Sequence, residues 1–210
     1  MNFTRWLMVQ VVGWFLLAQP GGLGAEGAAR PLEGPLIALH APHARQYELA
    51  LDEVELDWSG DSGAKTRRPA QSAAPIPGTM IVEAEGVRAR VSVPPVPDPQ
   101  DLLPLAAALK AANPGSQAHL VVYEPGLPKS QATRQLLTRE VGLLMAQGVD
   151  PQGIFTGQPT GAIRPVPGVP DGYVVEASDP LAAVALADTL RQRPGVRSAY
   201  PLLKRTYMRR

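Results

Sequence analysis

The clearest pattern of apolar and polar positions lies in the last third of the chain. Residues 173–177 open with aromatic and β-branched side chains, which predicts a strand. The Asp-Pro pair at 179–180 predicts a helix start, because the carboxylate accepts hydrogen bonds from free amides and proline needs no donor there. The Pro-Gly pair at 194–195 predicts the helix end, and residues 196–200 resume an extended pattern. The apolar positions that share one helical face between these signals are Ala183, Leu186, Ala187 and Leu190.

A matching unit precedes this one. Residues 137–146 predict a strand, and residues 149–155 predict a short helix with Asp150 as its cap. Residues 161–166 predict a weaker strand, which a turn-forming segment joins to the next strand. The order strand, helix, strand, strand, helix, strand predicts an α+β fold with a ferredoxin-like unit over residues 136–203. Both helices of such a unit cover one face of an antiparallel sheet.

Four segments of this region resemble the pro-region of bacterial secreted serine proteases of the subtilisin/kexin type. They are 136–141 (Leu-Leu-Thr-Arg-Glu-Val), 148–151 (Gly-Val-Asp-Pro), 172–175 (Gly-Tyr-Val-Val) and 193–203 (Arg-Pro-Gly-Val-Arg-Ser-Ala-Tyr-Pro-Leu-Leu). The resemblance implies that the chain assists the folding of a subtilisin-type serine protease catalytic domain and inhibits it, in cis or in trans. It also implies that the prodomain packs on the enzyme and that its C-terminal tail lies in the substrate cleft as an extended strand.

The residues expected to bind the protease cleft lie at the end of the chain. Residues 200–203 are the expected ordered exit strand, and the basic tail 204–210 follows. An extended tail would place Arg210 beside the scissile bond and Tyr207 near the far end, in a cleft with acidic S1 and S2 pockets and an apolar S4 pocket. Residues 202–205 offer the same pattern in an earlier register. The residues expected in the protease cleft are Leu202, Leu203, Lys204, Arg205, Tyr207, Met208, Arg209 and Arg210. Without the resemblance, the same basic end is typical of a solvated terminus.

We expect no enzymatic activity from this chain alone. A subtilisin-type triad needs an Asp, a His and a Ser held together, and no histidine or serine here has the flanking residues typical of that family. The catalytic domain is therefore expected to lie outside this sequence. Two other classes stay open. The chain is either a free-standing secreted binding or structural protein built from ferredoxin-like units, or a truncated remnant of a protease gene.

The pattern before residue 136 is less regular. Residues 30–58 predict short strands with a hairpin through Asp52 and Glu53, and the Gly/Ser/Ala/Pro-rich residues 59–77 predict a flexible linker. Residues 131–135 predict a helical turn that connects to the last third of the chain.

Residues 78–126 predict a smaller β-α-β unit. Its strands are expected at 80–84, 87–93 and 119–123. A helix is expected after the Asp-Pro pair at 98–99, and Pro104 indicates a kink or a later start. The Asp-Pro and Pro-Gly signals around this helix match those around the helix after Pro180. The unit is therefore either a second copy of the same kind or a second use of the same capping chemistry.

The N-terminus predicts export. Arg5, the apolar residues 6–18 and the helix-breaking residues after them are typical of a secretory signal over residues 1–25. The alternative, an uncleaved membrane anchor, needs about 20 apolar residues, and this run is shorter. We therefore expect a secreted or periplasmic protein with no stable membrane association after signal cleavage.

Composition bears on which ligands and cross-links this chain can have. A net charge of +1 over 210 residues gives no reason to expect nucleic-acid binding, and 20 glycines with 23 prolines predict many turns. The sequence has no cysteine, so disulfides are excluded. His40 and His43 lie close together in the sequence without a third ligand nearby, so we expect no metal site and no cofactor.

Overall fold

The computed structural model describes residues 31–40, 44–59, 73–158 and 160–205. The predicted signal at residues 1–25, His43, most of the predicted linker and the tail from Tyr207 to Arg210 lie outside the described residues. The described chain is a mixed α+β protein with one nine-stranded, mainly antiparallel sheet, as expected for its fold class. Among the described residues, no helix is long and apolar enough to cross a membrane.

Three helices and nine strands make up the described structure. The strands are β1 (Leu36–His40), β2 (Ala44–Asp57), β3 (Met80–Glu85), β4 (Arg88–Ser92), β5 (Gln117–Tyr123), β6 (Arg134–Met145), β7 (Ile163–Pro165), β8 (Gly172–Glu176) and β9 (Val196–Arg205). The helices are α1 (Leu102–Ala112), α2 (Pro151–Phe155) and α3 (Pro180–Arg191), and a 3-10 turn, Pro99–Asp101, precedes α1. The order in the sheet is β3-β4-β2-β5-β6-β8-β7, with β1 paired to β2 and β9 paired to β6.

The second half of the chain is built around β6. Strands β9 and β8 pair with β6 antiparallel, and β7 pairs with β8, so the local order is β9-β6-β8-β7. Helices α2 and α3 bury their apolar sides in one core against the same face of these strands. The buried residues of this core include Val141, Leu143, Phe155, Val175, Leu186 and Leu190.

The first half repeats this arrangement. Its strands lie in the order β5-β2-β4-β3, so in each half the fourth strand lies beside the first, followed by the third and the second. Asp98 accepts a hydrogen bond from the Gln100 amide, and Asp179 accepts one from the Ala182 amide at the matching helix start. Gly115 and Gly195, with φ of 81° and 85°, lie in the turns that follow the two helices. The two halves therefore share both their strand order and the residues that cap their matching helices.

The halves differ between their first and second strands. In the second half this connection contains α2, whereas in the first half the described part, residues 73–79, contains no helix. Ala73 and Ile76 pack against the core of the first half. The buried Asn113 side chain accepts a hydrogen bond from the Ala74 amide at 2.7 Å and donates one to the Ala74 carbonyl at 2.9 Å. One side chain at the end of α1 thus holds this extended segment on the core.

One sequence expectation in the first half is wrong, and a second is correct only in part. Residues 44–57 form one strand of 14 residues rather than two strands with a hairpin through Asp52 and Glu53. The polar pair is absorbed in a register shift between Leu49 and Val54, because the segments on both sides pair with β5. Residues 131–133 do form the expected turn, in which the Thr133 and Arg134 amides donate to the Ser130 carbonyl at 3.2 and 3.0 Å. Residues 134–135 belong to β6 instead, since the pairing of Tyr123 with Arg134 starts the next strand there.

The helix expected after residue 98 does begin late. Asp98 caps the 3-10 turn, and α1 starts at Leu102. Pro104 therefore lies in the first turn of the helix, where its missing amide costs no intrahelical hydrogen bond.

We expect Asn113→Ala to lower the free energy of unfolding by about 2–3 kcal/mol, because the Ala74 amide and carbonyl lose their partner in a buried place. Urea unfolding followed by circular dichroism measures this. Gln192→Ala, an exposed residue after α3, is the control and is expected to change the value by less than about 0.5 kcal/mol. Equal effects of the two substitutions would contradict the role given to Asn113.

Candidate functional site

The three helices lie on one face of the sheet. Leu181 and Val184 of α3 pack against the same core that α1 covers, so α1 and α3 share this face. The opposite face is free of helices among the described residues. Its two halves carry different side chains, and this difference locates the candidate site.

On the first half, the helix-free face is occupied by paired charges. Glu55, 1% exposed, lies 3.2 Å from Arg134 Nε and 3.8 Å from Arg88 Nε. Glu83 bridges Arg90 and Arg134 at 3.3 and 3.2 Å. Burial raises the pKa of the Glu55 carboxyl, and the two arginines near it oppose this shift.

The same face continues to Tyr123 and Glu53. The Tyr123 hydroxyl donates to Glu53 at 2.6 Å, and Arg90 donates to the other carboxylate oxygen at 3.2 Å. Burial, reinforced by the Glu53 carboxylate, raises the pKa of Tyr123. The acids and bases of this face are thus paired with each other, and an apolar cluster that includes Val121 and Leu136 is buried beside them. Little of this face is left exposed for a partner to cover.

On the second half, the centre of the helix-free face is apolar and half-buried. It borders a hollow of about 820 Å³, which Arg191, Arg197 and Ser198 also line. The apolar side chains at this centre are Leu144, Val174, Tyr200 and Leu202, with Gly142 between them. We call this set the open face.

Gly142 shapes the open face. A Cβ at this position would lie 3.0 Å from the Tyr200 ring and 3.0 Å from the Leu202 side chain. The absence of a side chain at 142 therefore lets the tyrosine ring lie close over the backbone of β6. Ion pairs between Arg164 and Glu140 and between Arg139 and Glu176 border the face on one side.

A second feature is a cleft of about 600 Å³ where β5 and β8 separate. Strand β6 pairs with β5 up to Leu137 and with β8 from Glu140 onward, so the two neighbours diverge at the residues between. Thr138 lies there and donates a hydrogen bond to the Leu202 carbonyl at 2.8 Å. The polar lining of the cleft is Asp57, Lys110, Gln117, His119, Thr138, Arg139, Glu140, Glu176, Ser178, Asp179 and Lys204.

The chemistry of this cleft is electrostatic. The Lys204 ammonium contacts Asp57 Oδ2 and lies 2.9 Å from Ser59 Oγ. A serine beside a lysine resembles a nucleophile and its base, but an ammonium that is paired with a carboxylate has no lone pair to accept the proton. Burial alone would raise the pKa of Asp57, and hydrogen bonds from Lys204 and Ser59 outweigh it and hold the pKa below its usual range.

His119 is neutral in this environment at pH 7. Burial lowers the pKa of its imidazole to about 4, and the Asp57 carboxylate opposes that shift only in part. Within the described residues, no cluster of three or more His, Asp or Glu side chains is suited to hold a metal ion.

The structure places half of the residues expected in a protease cleft in strand β9. Leu203, Lys204 and Arg205 pair with Leu137, Leu136 and Gln135 of β6, and Leu202 belongs to the open face. The exit strand therefore runs to Arg205 and includes two residues assigned from sequence to the tail. Tyr207, Met208, Arg209 and Arg210 lie outside the described residues.

Sequence reasoning missed the open face and the contact of Lys204 with Asp57. The alternation of Tyr200 and Leu202 along one strand, with a glycine in the central strand, is the signal from which the open face could have been inferred. The Lys204–Asp57 contact joins residues 147 positions apart, and no local pattern points to it.

The chain was compared with protein-family models, with curated proteins and with solved structures, and none of the three comparisons found a match. The open face and the cleft are thus the features of this molecule from which a function can be inferred.

We expect His119→Gln to flatten the acid side of the stability profile. Between about pH 6.5 and 4 the unfolded histidine binds a proton and the folded one does not, so the wild type loses stability as the pH falls. The substitution removes about 1–2 kcal/mol of this loss. Urea unfolding at about pH 7 and about pH 4.5 measures it. Glu55 contributes with the opposite sign in both proteins and cancels in the difference. Parallel profiles would show that His119 titrates normally in the folded chain.

Proposed function

We propose that this chain is the pro-region of an exported subtilisin/kexin-type serine endopeptidase, acting as an intramolecular chaperone and inhibitor. The observation that carries the proposal is the contrast between the two helix-free faces. The first half closes its face with its own ion pairs, whereas the second half, with the same strand order, leaves an apolar face uncovered by the described residues. A half-buried apolar sheet face is a surface that another protein can cover.

The strand order of the second half supports the proposal. We propose a ferredoxin-like unit, supported by the order β9-β6-β8-β7 and by α2 and α3 on one face. The segments that resemble subtilisin-type pro-regions lie in this unit. The longest of them, residues 193–203, contains the end of the turn between α3 and β9 and most of β9 itself.

Docking of the open face gives a physical basis for chaperone action. Each Å² of apolar surface removed from water contributes about 25 cal/mol, so covering Tyr200, Leu202, Val174 and Leu144 stabilises whichever conformation of the partner fits them. Binding to the folded pro-region and folding of the pro-region are then linked, because a partner that binds only the folded state stabilises it. The same contact favours the folded catalytic domain.

Inhibition is assigned to the tail beyond β9. An extended segment from Tyr207 to Arg210 would pair with the edges of the enzyme's substrate cleft and place Arg210 beside the scissile position. The pairing of β9 with β6 favours this register over the earlier one. Residues Leu203 to Arg205 would have to leave the sheet before they could enter a cleft.

The second candidate is a free-standing secreted binding protein, which the same open face also favours. In this case the partner on the open face is a protein other than a subtilisin-type protease. A correctly folded chain that does not inhibit any basic-specific subtilisin-type protease would favour this class and remove the pro-region proposal.

Replacing Arg209 and Arg210 together by alanine is expected to weaken inhibition of a basic-specific subtilisin-type protease about tenfold or more, because two charge-assisted contacts are lost. The inhibition constant is measured with a chromogenic peptide substrate. Arg45→Ala, an exposed arginine of β2, is the matched control. Inhibition by the double variant at the wild-type level would remove the tail from the proposal.

Val174→Asp is expected to weaken the same inhibition about tenfold or more, since a carboxylate on the open face would be desolvated by the docked enzyme. Val82→Asp introduces the same charge on β3, where the valine is 38% exposed, and is expected to leave inhibition unchanged. Thermal unfolding of both variants checks that they remain folded. If the two variants inhibit equally well, the open face is not the docking surface.

A further inference from the structure

The C-terminal end of β9 is tied to the other half of the chain. Lys204 lies in β9 of the second half, and Asp57 ends β2 of the first half. The Lys204 ammonium contacts Asp57 Oδ2 and lies 2.9 Å from Ser59 Oγ. Asp57 is 1% exposed, and its other oxygen accepts from the Ser59 amide at 2.8 Å. The Ser59 amide thus fixes the Asp57 carboxylate, and this carboxylate contacts Lys204 near the end of β9.

The end of the chain has two basic pairs that a protease could bind, and the Lys204–Asp57 contact involves the first of them. Lys204-Arg205 and Arg209-Arg210 both carry the residues that a basic-specific protease accepts. A protease binds its substrate as an extended strand with free main-chain groups, so a paired strand must open before it is cut. The first pair lies at the end of β9, where opening breaks the pairing with β6 and also the Lys204–Asp57 contact.

We propose that Asp57 is a positioning residue that keeps Lys204-Arg205 in the sheet, so that the protease reads the segment beyond Arg205 instead. This inference rests on the proposed function for its consequence, the register of the inhibitory tail. The first half then has a role of its own: it holds the strand end from which the tail starts. Without it the earlier basic pair would compete for the same cleft.

Trypsin tests the inference directly, because it cuts after lysine and arginine and reports which sites open. We expect Asp57→Asn, in the full chain, to accelerate cleavage after Arg205 at least about fivefold, since proteolysis follows the population of the opened end. Release of the peptide that begins at Thr206 is quantified by mass spectrometry. Cleavage after Arg139, in the middle of β6, is the internal reference for opening of the whole sheet.

Lys204→Met and Lys204→Arg separate positioning from general stability. The methionine variant keeps Arg205 as a cleavage site and is expected to behave like Asp57→Asn, whereas the arginine variant keeps a cation opposite Asp57 and is expected to stay protected. Asp188→Asn, which removes the ion pair with Arg191 on α3, is the matched control and is expected to leave the ratio of the two cleavages unchanged.

Two results would overturn the inference. One is a wild-type chain cut after Arg205 as fast as a synthetic peptide of residues 202–210. The other is an unchanged ratio of Arg205 to Arg139 cleavage in both Asp57→Asn and Lys204→Met. The trypsin assay contains no subtilisin-type protease, so its outcome is independent of inhibition. Protection together with absent inhibition would remove the pro-region proposal and leave the positioning role of Asp57 intact.

Discussion

The pairing of β6 with three other strands is the constraint on which the structure depends. β5 and β8 share one edge of β6 in succession, and β9 occupies the other edge from Gln135 to Met145. A single strand thus belongs to both halves of the repeat. β5 and β8 separate at Thr138, where the cleft lies, and Lys204 of β9 contacts Asp57 of the first half. An excised second half would expose the β6 edge that β5 covers, and unpaired edges promote aggregation.

The two halves have the same strand order, but their helix-free faces differ. The first half buries charged side chains there, whereas the second half leaves apolar side chains uncovered by the described residues. The charged face of the first half gains little net stability from its ion pairs, because desolvation of buried charges offsets their attraction. Its value lies in specificity, since Glu55 and Arg134 are already buried and paired within the first half and leave a partner few groups to contact there. Val174 and Leu144 of the open face are only half-buried and can be covered by a partner. The charge pattern thus directs an apolar partner to one half.

Local signals predict those elements whose ends are fixed by their own residues. The start of α3 at Pro180 follows from capping chemistry, and the structure has it there. The helix ends at Arg191, before the Pro-Gly pair that was expected to stop it, and that pair forms the turn to the next strand. β2 was predicted as two strands because Asp52 and Glu53 favour a turn, and the pairing of both flanks with β5 overrides that preference. The alternation of Tyr200 and Leu202 in the sequence identifies side chains that share one face of the sheet, but it does not say which face the helices leave uncovered. The Lys204–Asp57 contact depends on tertiary structure alone.

Gly142 has a consequence for shape. Glycine in a central strand weakens a sheet, because it gains no cross-strand packing and loses more backbone entropy than other residues. Here the missing side chain leaves room for the Tyr200 ring and the Leu202 side chain, each of which would lie 3.0 Å from a Cβ at this position. A larger residue at 142 would push the ring away from β6 and change the lining of the hollow beside it. Strand stability is thus given up for close approach of an aromatic ring to the backbone of the central strand.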